Sequence, residues 1–228
     1  MTVKRALLLV VAAGLLLTGC GDDSASETTT TAAEATTVRV YFLRDGKVWP
    51  VSRDVESVGN LPDTALQALR LGPTEEEKAI GLETEVPEDE DAELSTAALA
   101  QVVYTMTQSA GSDSAQVAGT TYERADFEEQ TPSVLVESPL SFEDVSGPVV
   151  ATGTANTFEA NFQYELLGAD GEVIDENFVT ATSGTGTRGT FEFTTDDVDD
   201  VTALVVFESS AEDGSRIHEV EIPLNTTS

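Results

Sequence analysis

The sequence predicts two folded units in series, a mixed α+β domain over residues 38–122 and an all-β sandwich over residues 133–225. Three observations carry this reading. Up to Tyr122, β-rich runs alternate with stretches whose apolar residues fall at helical spacing. From Ser133 onward, apolar and polar residues alternate at period two, with turn residues between the runs and no helical stretch among them. Ahead of both units lies a short apolar run, followed by a threonine-rich polar segment with no large side chain.

In chain order, Lys4 and Arg5 precede an apolar stretch from Ala6 to Leu17. That stretch is shorter than the roughly 20 residues a membrane span needs, and it fits the central region of a secretory signal over residues 1–19. It ends Leu17-Thr18-Gly19-Cys20, which holds the sole cysteine of the chain, so no intrachain disulfide can form. Gly21–Thr37 reads GDDSASETTTTAAEATT, and residues 20–37 are read as a flexible tether. Seventeen such residues reach at most ~55 Å extended and ~23 Å as a coil.

Val38–Leu43 is β-rich, and Asp45-Gly46 is a hairpin turn signal into a strand from Lys47 to Val55. Pro50 inside that strand argues for an edge or a bulge. LPDTALQALRLG has helical spacing, with Pro62 and Asp63 in the first turn and Gly72-Pro73 as the stop. Thr74-Glu75-Glu76-Glu77 has the form of a capping box for a short helix ending near Gly81. Val86–Leu94 is an acidic loop, and Ser95 caps a helix over TAALAQVVYTMTQ. Ala115–Tyr122 is expected as one strand and the charged stretch 123–132, ERADFEEQTP, as an interdomain linker. Seven strands then follow in SVLVES, PVVATGTA, FEANFQYELLG, EVIDENFVTATS, TFEFTTD, VTALVVFESS and RIHEVEIPL, with Asp170-Gly171 as a hairpin turn. Seven short strands in that span indicate a sandwich.

Composition excludes some partners. The chain holds 42 acidic and 11 basic side chains, net −31. Without residues 1–19 the balance is 42 acidic to 9 basic, net −33. Such a surface repels nucleic acid and anionic head groups. Chemistry-bearing patterns are scarce. There is no Cys/His cluster for zinc, no phosphate-binding glycine loop and no nucleophile elbow. His218, the sole histidine, falls in an alternating strand and is read as facing solvent or a sheet edge. Trp49, Phe158 and Phe162 are read as core. Asp196-Asp197-Val198-Asp199-Asp200 and Glu88-Asp89-Glu90-Asp91 are read as solvated acidic loops, with calcium as the alternative because it takes oxygen ligands. The sequon at Asn225-Thr226-Thr227 falls at an end expected to fray. Neither a catalytic group nor a cofactor or metal site is expected.

Three resemblances sharpen this. Leu17–Cys20 resembles the lipobox of bacterial lipoproteins. That implies acylation of the Cys20 thiol, cleavage after Gly19 and anchoring on the outer face of the cell membrane, where two acyl chains hold stably and one does not. Ala65, Leu66, Leu69, Gly72, Pro73, Thr74 and Glu77, with VRVYFL before and AQVVYTMTQ after, resemble the GerMN domain of sporulation and germination proteins. The sequence from SVLVESPLSFEDVSGPVVATGTANTFEANFQYELL, through Asp170-Gly171 and GTFEF, to VVFESSAEDGS and VEIPL resembles the immunoglobulin-like domain of bacterial spore germination. The GerMN hairpin that follows the proline has no room between Pro87 and Ser95, which implies a shortened sheet with an open edge. Together the resemblances imply a non-enzymatic surface lipoprotein that binds an envelope protein or itself. The alternative is an extracytoplasmic binder of calcium or a wall polymer.

The acidic surface makes its own prediction. Salt screens self-repulsion, so the thermal midpoint is expected to rise between low and molar NaCl, as suits a protein working in a salty external medium. A midpoint that stays flat or falls removes that expectation.

Overall fold

The computed structural model describes residues 35–89, 92–197 and 199–226. The leader expected over 1–19, Cys20 and the tether up to Glu34 lie outside the described residues. The first strand, β1 (Ala35–Arg44), begins ahead of the expected boundary at Val38. Ala35, Thr36 and Thr37 pair with Glu56, Val55 and Asp54, so the end of the stretch read as tether is strand.

β1 folds back on β2 (Lys47–Glu56) through Asp45 and Gly46, at φ 52° and 73°. Two consecutive positive φ values define the type I′ turn that matches strand twist. Both faces of this hairpin are buried. Val38, Val40, Phe42, Trp49 and Val51 lie on one face, Tyr41, Leu43 and Val48 on the other. Double-sided burial explains why Val40–Leu43 reads as a continuous apolar run.

Two short helices follow. α1 (Leu61–Arg70) is capped by the Asn60 side chain, which accepts from the Asp63 N–H. α2 (Glu75–Ala79) carries the expected capping box between Thr74 and Glu77. Glu77 is buried and pairs with Arg53 of β2. α3 (Thr96–Ala110) starts at the Ser95 cap and ends at Gly111 in the left-handed region, φ 60°. The strand expected over 115–122 is a hairpin instead, β3 (Ser114–Val117) and β4 (Thr120–Glu123). Its turn is Ala118-Gly119, at φ 48° and 82°.

Among the described strands this lobe holds two two-stranded sheets, β1–β2 and β3–β4. The expected open edge near Pro87 is not what the structure shows. α3 covers the free edge of β1 with side chains. The Tyr41 N–H donates to Thr105 Oγ1 at 3.1 Å, and Gln101 Nε2 donates to the Tyr41 carbonyl at 3.1 Å. One residue pair on, Leu43 and Glu83 exchange two backbone hydrogen bonds of 2.9 Å. Gln101 and Thr105 are both 0% exposed, so they are buried polar groups spent on a strand edge. The same geometry explains Pro50. It pairs with Tyr41, whose N–H and C=O point away from β2, so position 50 makes no ladder bond and the missing N–H costs nothing there.

The seven expected strands of the second lobe all form. β5 (Val134–Ser138) is followed by the two-residue β6 (Asp144–Val145), then β7 (Val150–Ala155), β8 (Asn161–Leu167), β9 (Val173–Thr180), β10 (Gly189–Thr194), β11 (Ala203–Ser209) and β12 (Arg216–Pro223). They make a three-stranded sheet, β10-β7-β5, and a four-stranded one, β12-β11-β8-β9. The sheets meet through aromatic rings, Phe162 against Phe191 at 4.9 Å and Tyr164 stacked on Phe193 at 4.5 Å. Gly153 in β7 is required by close approach. A Cβ there would lie 2.0 Å from the Leu135 carbonyl oxygen. Asn225 and Thr226, expected in a frayed end, instead form β13 (Asn225–Thr226), which pairs in parallel with β6. The Asn225 side chain also donates to the Phe142 carbonyl at 2.7 Å.

The linker expected over 123–132 is a packed element. Arg124–Gln130 forms 3-10 turns, with Phe127 buried beside Tyr104 and Leu135 in one apolar cluster. The two lobes therefore belong to one compact unit.

Replacing Gln101 with Leu keeps the apolar bulk and leaves the Tyr41 carbonyl and the Glu85 N–H without their partner. An orphaned buried backbone group costs about 1–3 kcal/mol. The urea midpoint of Gln101→Leu is expected to fall by that order with an unchanged slope. A variant as stable as the parent would show that the β1 edge needs no such cover.

Candidate functional site

Two features of the junction between the lobes matter for function, a buried lock and an open groove. The lock is built by three segments. β1 supplies Tyr41, α3 supplies Tyr104 and Gln108, and the 3-10 segment supplies Arg124. The Arg124 guanidinium lies over both tyrosine rings, 5.3 Å from Tyr41 and 4.7 Å from Tyr104. Its Nη1 donates to Glu137 of β5 at 2.8 Å and its Nε to Thr107 at 2.9 Å. The Tyr41 hydroxyl donates to the same Glu137 oxygen at 2.6 Å. Burial, helped by the Glu137 carboxylate, pushes the Tyr41 phenol well above its ordinary value, so it stays a neutral donor. A second lock joins the same segment to the sandwich. Arg188 holds both oxygens of Glu128, at 2.8 and 3.0 Å, and donates to the Pro132 carbonyl at 2.9 Å.

The open feature is a groove of about 370 Å³ between the β1–β2 turn and the edge strand β12. Trp49, Pro132 and Val220 give it apolar surface, Arg44, Lys47 and His218 bring nitrogen donors, and Asp45 and Glu219 bring carboxylates. The Arg44 guanidinium lies 4.8 Å from the centre of the Trp49 ring and donates to the Glu221 carbonyl at 3.0 Å. Lys47 Nζ donates to the Glu129 carbonyl at 2.6 Å. The groove exists because β12 bulges. Its register with β11 shifts between Val206 and Glu208, and His218 takes φ 53° there.

The residues singled out from the sequence fall as follows. Cys20 lies outside the described residues. His218 is exposed on the edge strand as expected, and its Nδ1 sits 2.7 Å from the buried Glu208 carboxylate. Glu208 also accepts the Phe158 N–H, so its two oxygens serve a bulge and a turn. No serine hydroxyl is hydrogen-bonded to His218 among the described residues. Trp49 is buried, with Nε1 donating to Ser141 at 3.0 Å. Phe162 is core, but Phe158 is 60% exposed, because it sits in a 3-10 turn whose backbone leaves the alternating pattern. Among the described residues no three His, Cys, Asp or Glu side chains gather as a metal cluster. Glu90, Asp91 and Val198 of the two acidic loops lie outside the described residues.

Sequence reasoning missed Arg124, Arg44 and Lys47 as a set. One signal was present. Arg44 and Lys47 bracket a hairpin turn in a chain otherwise dominated by carboxylates, and Phe127 interrupts the charged run that was read as linker.

The Arg188 hydrogen bonds hold the Glu128 carboxyl below its ordinary value. Burial opposes them, and Asn156 assists. A depressed folded-state value adds stability above the unfolded pKa, near 4.3, and loses it as pH falls through the folded value. The stability gap between the parent and Arg188→Gln is therefore expected to be constant from pH 7 to about 5 and to narrow on further acidification. Thermal unfolding across that range checks it, and a gap independent of pH down to about 3 would remove Glu128 as the cause.

No curated protein matches the chain, and no solved structure does. One family does match, over the stretch from Ser133, just before β5, to Ser215, just before β12. Over residues 133–215 the C-terminal lobe matches the family described as the immunoglobulin-like domain of bacterial spore germination, in keeping with its two packed sheets.

Proposed function

We propose that this chain is a non-enzymatic surface lipoprotein of the bacterial envelope, held by lipid on Cys20 and acting as a protein-interaction or assembly module of the germination and sporulation type. The observation that carries the reading is the family match over residues 133–215. Immunoglobulin-like sandwiches present strands and loops as contact surfaces, and a germination-related domain of this kind points to the cell envelope. The N-terminal lobe is read as GerMN-like on the residues from Ala65 to Glu77. The structure adds a physical reason for two lobes to act together. Arg124 and Arg188 fasten the connecting segment to both, so a partner meets one rigid body. Such a body loses little conformational freedom on binding.

The anchor is tested by fractionating cells that make the parent chain or Cys20→Ala. The parent is expected in the membrane fraction and the variant in the soluble extracytoplasmic fraction. Equal partitioning of the two would overturn the lipid attachment.

A further inference from the structure

We infer that the free edge of β9 is a docking site for an extended strand of a partner polypeptide that carries a basic side chain and, two residues on, an apolar one. The inference deepens the interaction-module reading above and rests on it. The first observation is backbone. β9 ends its sheet on the side opposite β12, whose own edge is occupied by Arg44 at the Glu221 carbonyl. The Ala181 N–H donates to the Ala160 carbonyl, which fixes the alternation of the β8–β9 ladder. Asn177 and Val179 turn their backbone groups to β8, and Glu176 and Phe178 turn theirs outward. The Phe178 N–H is served by the adjacent Asn177 Oδ1 at 2.9 Å, a local bond that a strand carbonyl can take over. Past Thr180 the chain crosses to the other sheet, where the Thr182 N–H donates to the Thr190 carbonyl at 2.9 Å. The open edge therefore runs from Glu176 to Thr180.

The second observation is the side chains beside that edge. Glu176 and Phe178 lie two residues apart, on one face of the sheet. Phe178 is 73% exposed, and its cross-strand neighbour on β8 is the polar Gln163. An aromatic ring left in water has a large area still to bury.

The third is charge. Glu176 is exposed and lies opposite Glu165, whose cation, Arg216, is already bonded to it. Asp175 takes the Asp196 N–H, so a further carboxylate stands beside the edge. No Lys, Arg or His occurs between Arg124 and Arg188, a span that holds β5, β7, β8, β9 and the Asp170–Glu172 turn leading into β9. The groove at the β1–β2 turn carries both signs, whereas this edge carries one.

Charge selects the occupant. A second copy pairing through β9 would set Asp175 and Glu176 against the same acids, and like charges across a strand pair destabilise it. Acidic side chains on an edge guard against such self-pairing. A Lys or Arg opposite Glu176 turns the guard into a cross-strand ion pair, and an apolar residue two places on meets Phe178. The backbone bonds give affinity and the alternate side chains give specificity.

The experiment titrates the purified full chain with acetyl-Thr-Lys-Thr-Leu-Thr-Lys-amide and follows backbone amide shifts by NMR. Saturable shifts are expected at Glu176 and Phe178 and none at Val40 or Phe42, in the buried hairpin. The counterpart with Glu in place of both Lys residues is expected to bind at least about fivefold weaker. The Lys peptide N-methylated at Leu, which lacks one edge-facing donor, is expected to lose about fivefold as well. Glu176→Lys should reverse the charge preference, and Phe178→Ser should weaken the Lys peptide without lowering the thermal midpoint. Equal binding of the Lys and Glu peptides overturns the inference, as does full binding of the N-methylated one or an unchanged preference in Glu176→Lys. No saturable shift up to about 10 mM, a limit of roughly 3 kcal/mol, also overturns it. So does a dimer at molar NaCl that Phe178→Ser abolishes, which would make β9 an edge for a second copy. The soluble Cys20→Ala chain should give the same titration, so failure of the anchor and failure of the edge are read separately.

Discussion

The Arg124 guanidinium lies over the paired rings of Tyr41 and Tyr104 and against the Glu137 carboxylate, and both lobes of the chain meet there. Arg suits this place better than Lys. Its planar, weakly hydrated head stacks on two aromatic faces while its N–H groups point in fixed directions to Glu137, Thr107 and Gln108. These contacts come from three elements, β1, α3 and β5. Removing the cation would strand a half-buried carboxylate, a change that costs more than the pair contributes. The connecting segment thus orients the sandwich relative to the hairpin, and every feature at the junction, the groove included, depends on that orientation.

A second constraint lies in the small sheet. Two strands are marginal alone in water. Here the hairpin survives because both faces are buried and the free edge of β1 is bonded by α3 rather than by a third strand. Gln101 and Thr105 do the work of a neighbouring backbone at Tyr41, and Glu83 continues it at Leu43. A helix can do this because its side chains at positions i and i+4 lie on one face, and 101 and 105 have that spacing. The edge that would invite another chain is thereby closed. Any partner of this lobe must use a surface other than that edge.

Much of this was legible in the sequence because it is local. The Asp45-Gly46 turn, the Ser95 and Thr74 caps and all seven strands of the sandwich follow from turn chemistry, capping geometry and period two. What was not legible depends on distant partners. ERADFEEQTP has the composition of a linker, and only the Tyr41–Tyr104 ring pair and Glu137 make Arg124 a half-buried residue. Gly119 turns a presumed strand into a hairpin, with Ala118 held at a positive φ beside it. Asn225 and Thr226 look like a frayed end until Asp144 and Val145 are beside them. Of the groove, Trp49 and His218 were visible as single residues, but their nearness comes from a bulge that no periodicity announces.

Cation placement connects the lock to the groove. With so few basic side chains, most serve as ties across segments far apart in sequence, as Arg53 does with Glu77, Arg188 with Glu128 and Arg216 with Glu165. An exposed ion pair contributes little, but a half-buried one fixes which segments meet. Arg44 and Lys47 also cross between segments, and they do so through backbone carbonyls rather than carboxylates. The carboxylates of Asp45 and Glu219 line the same groove as these two cations, so it carries both signs of charge beside its apolar surface.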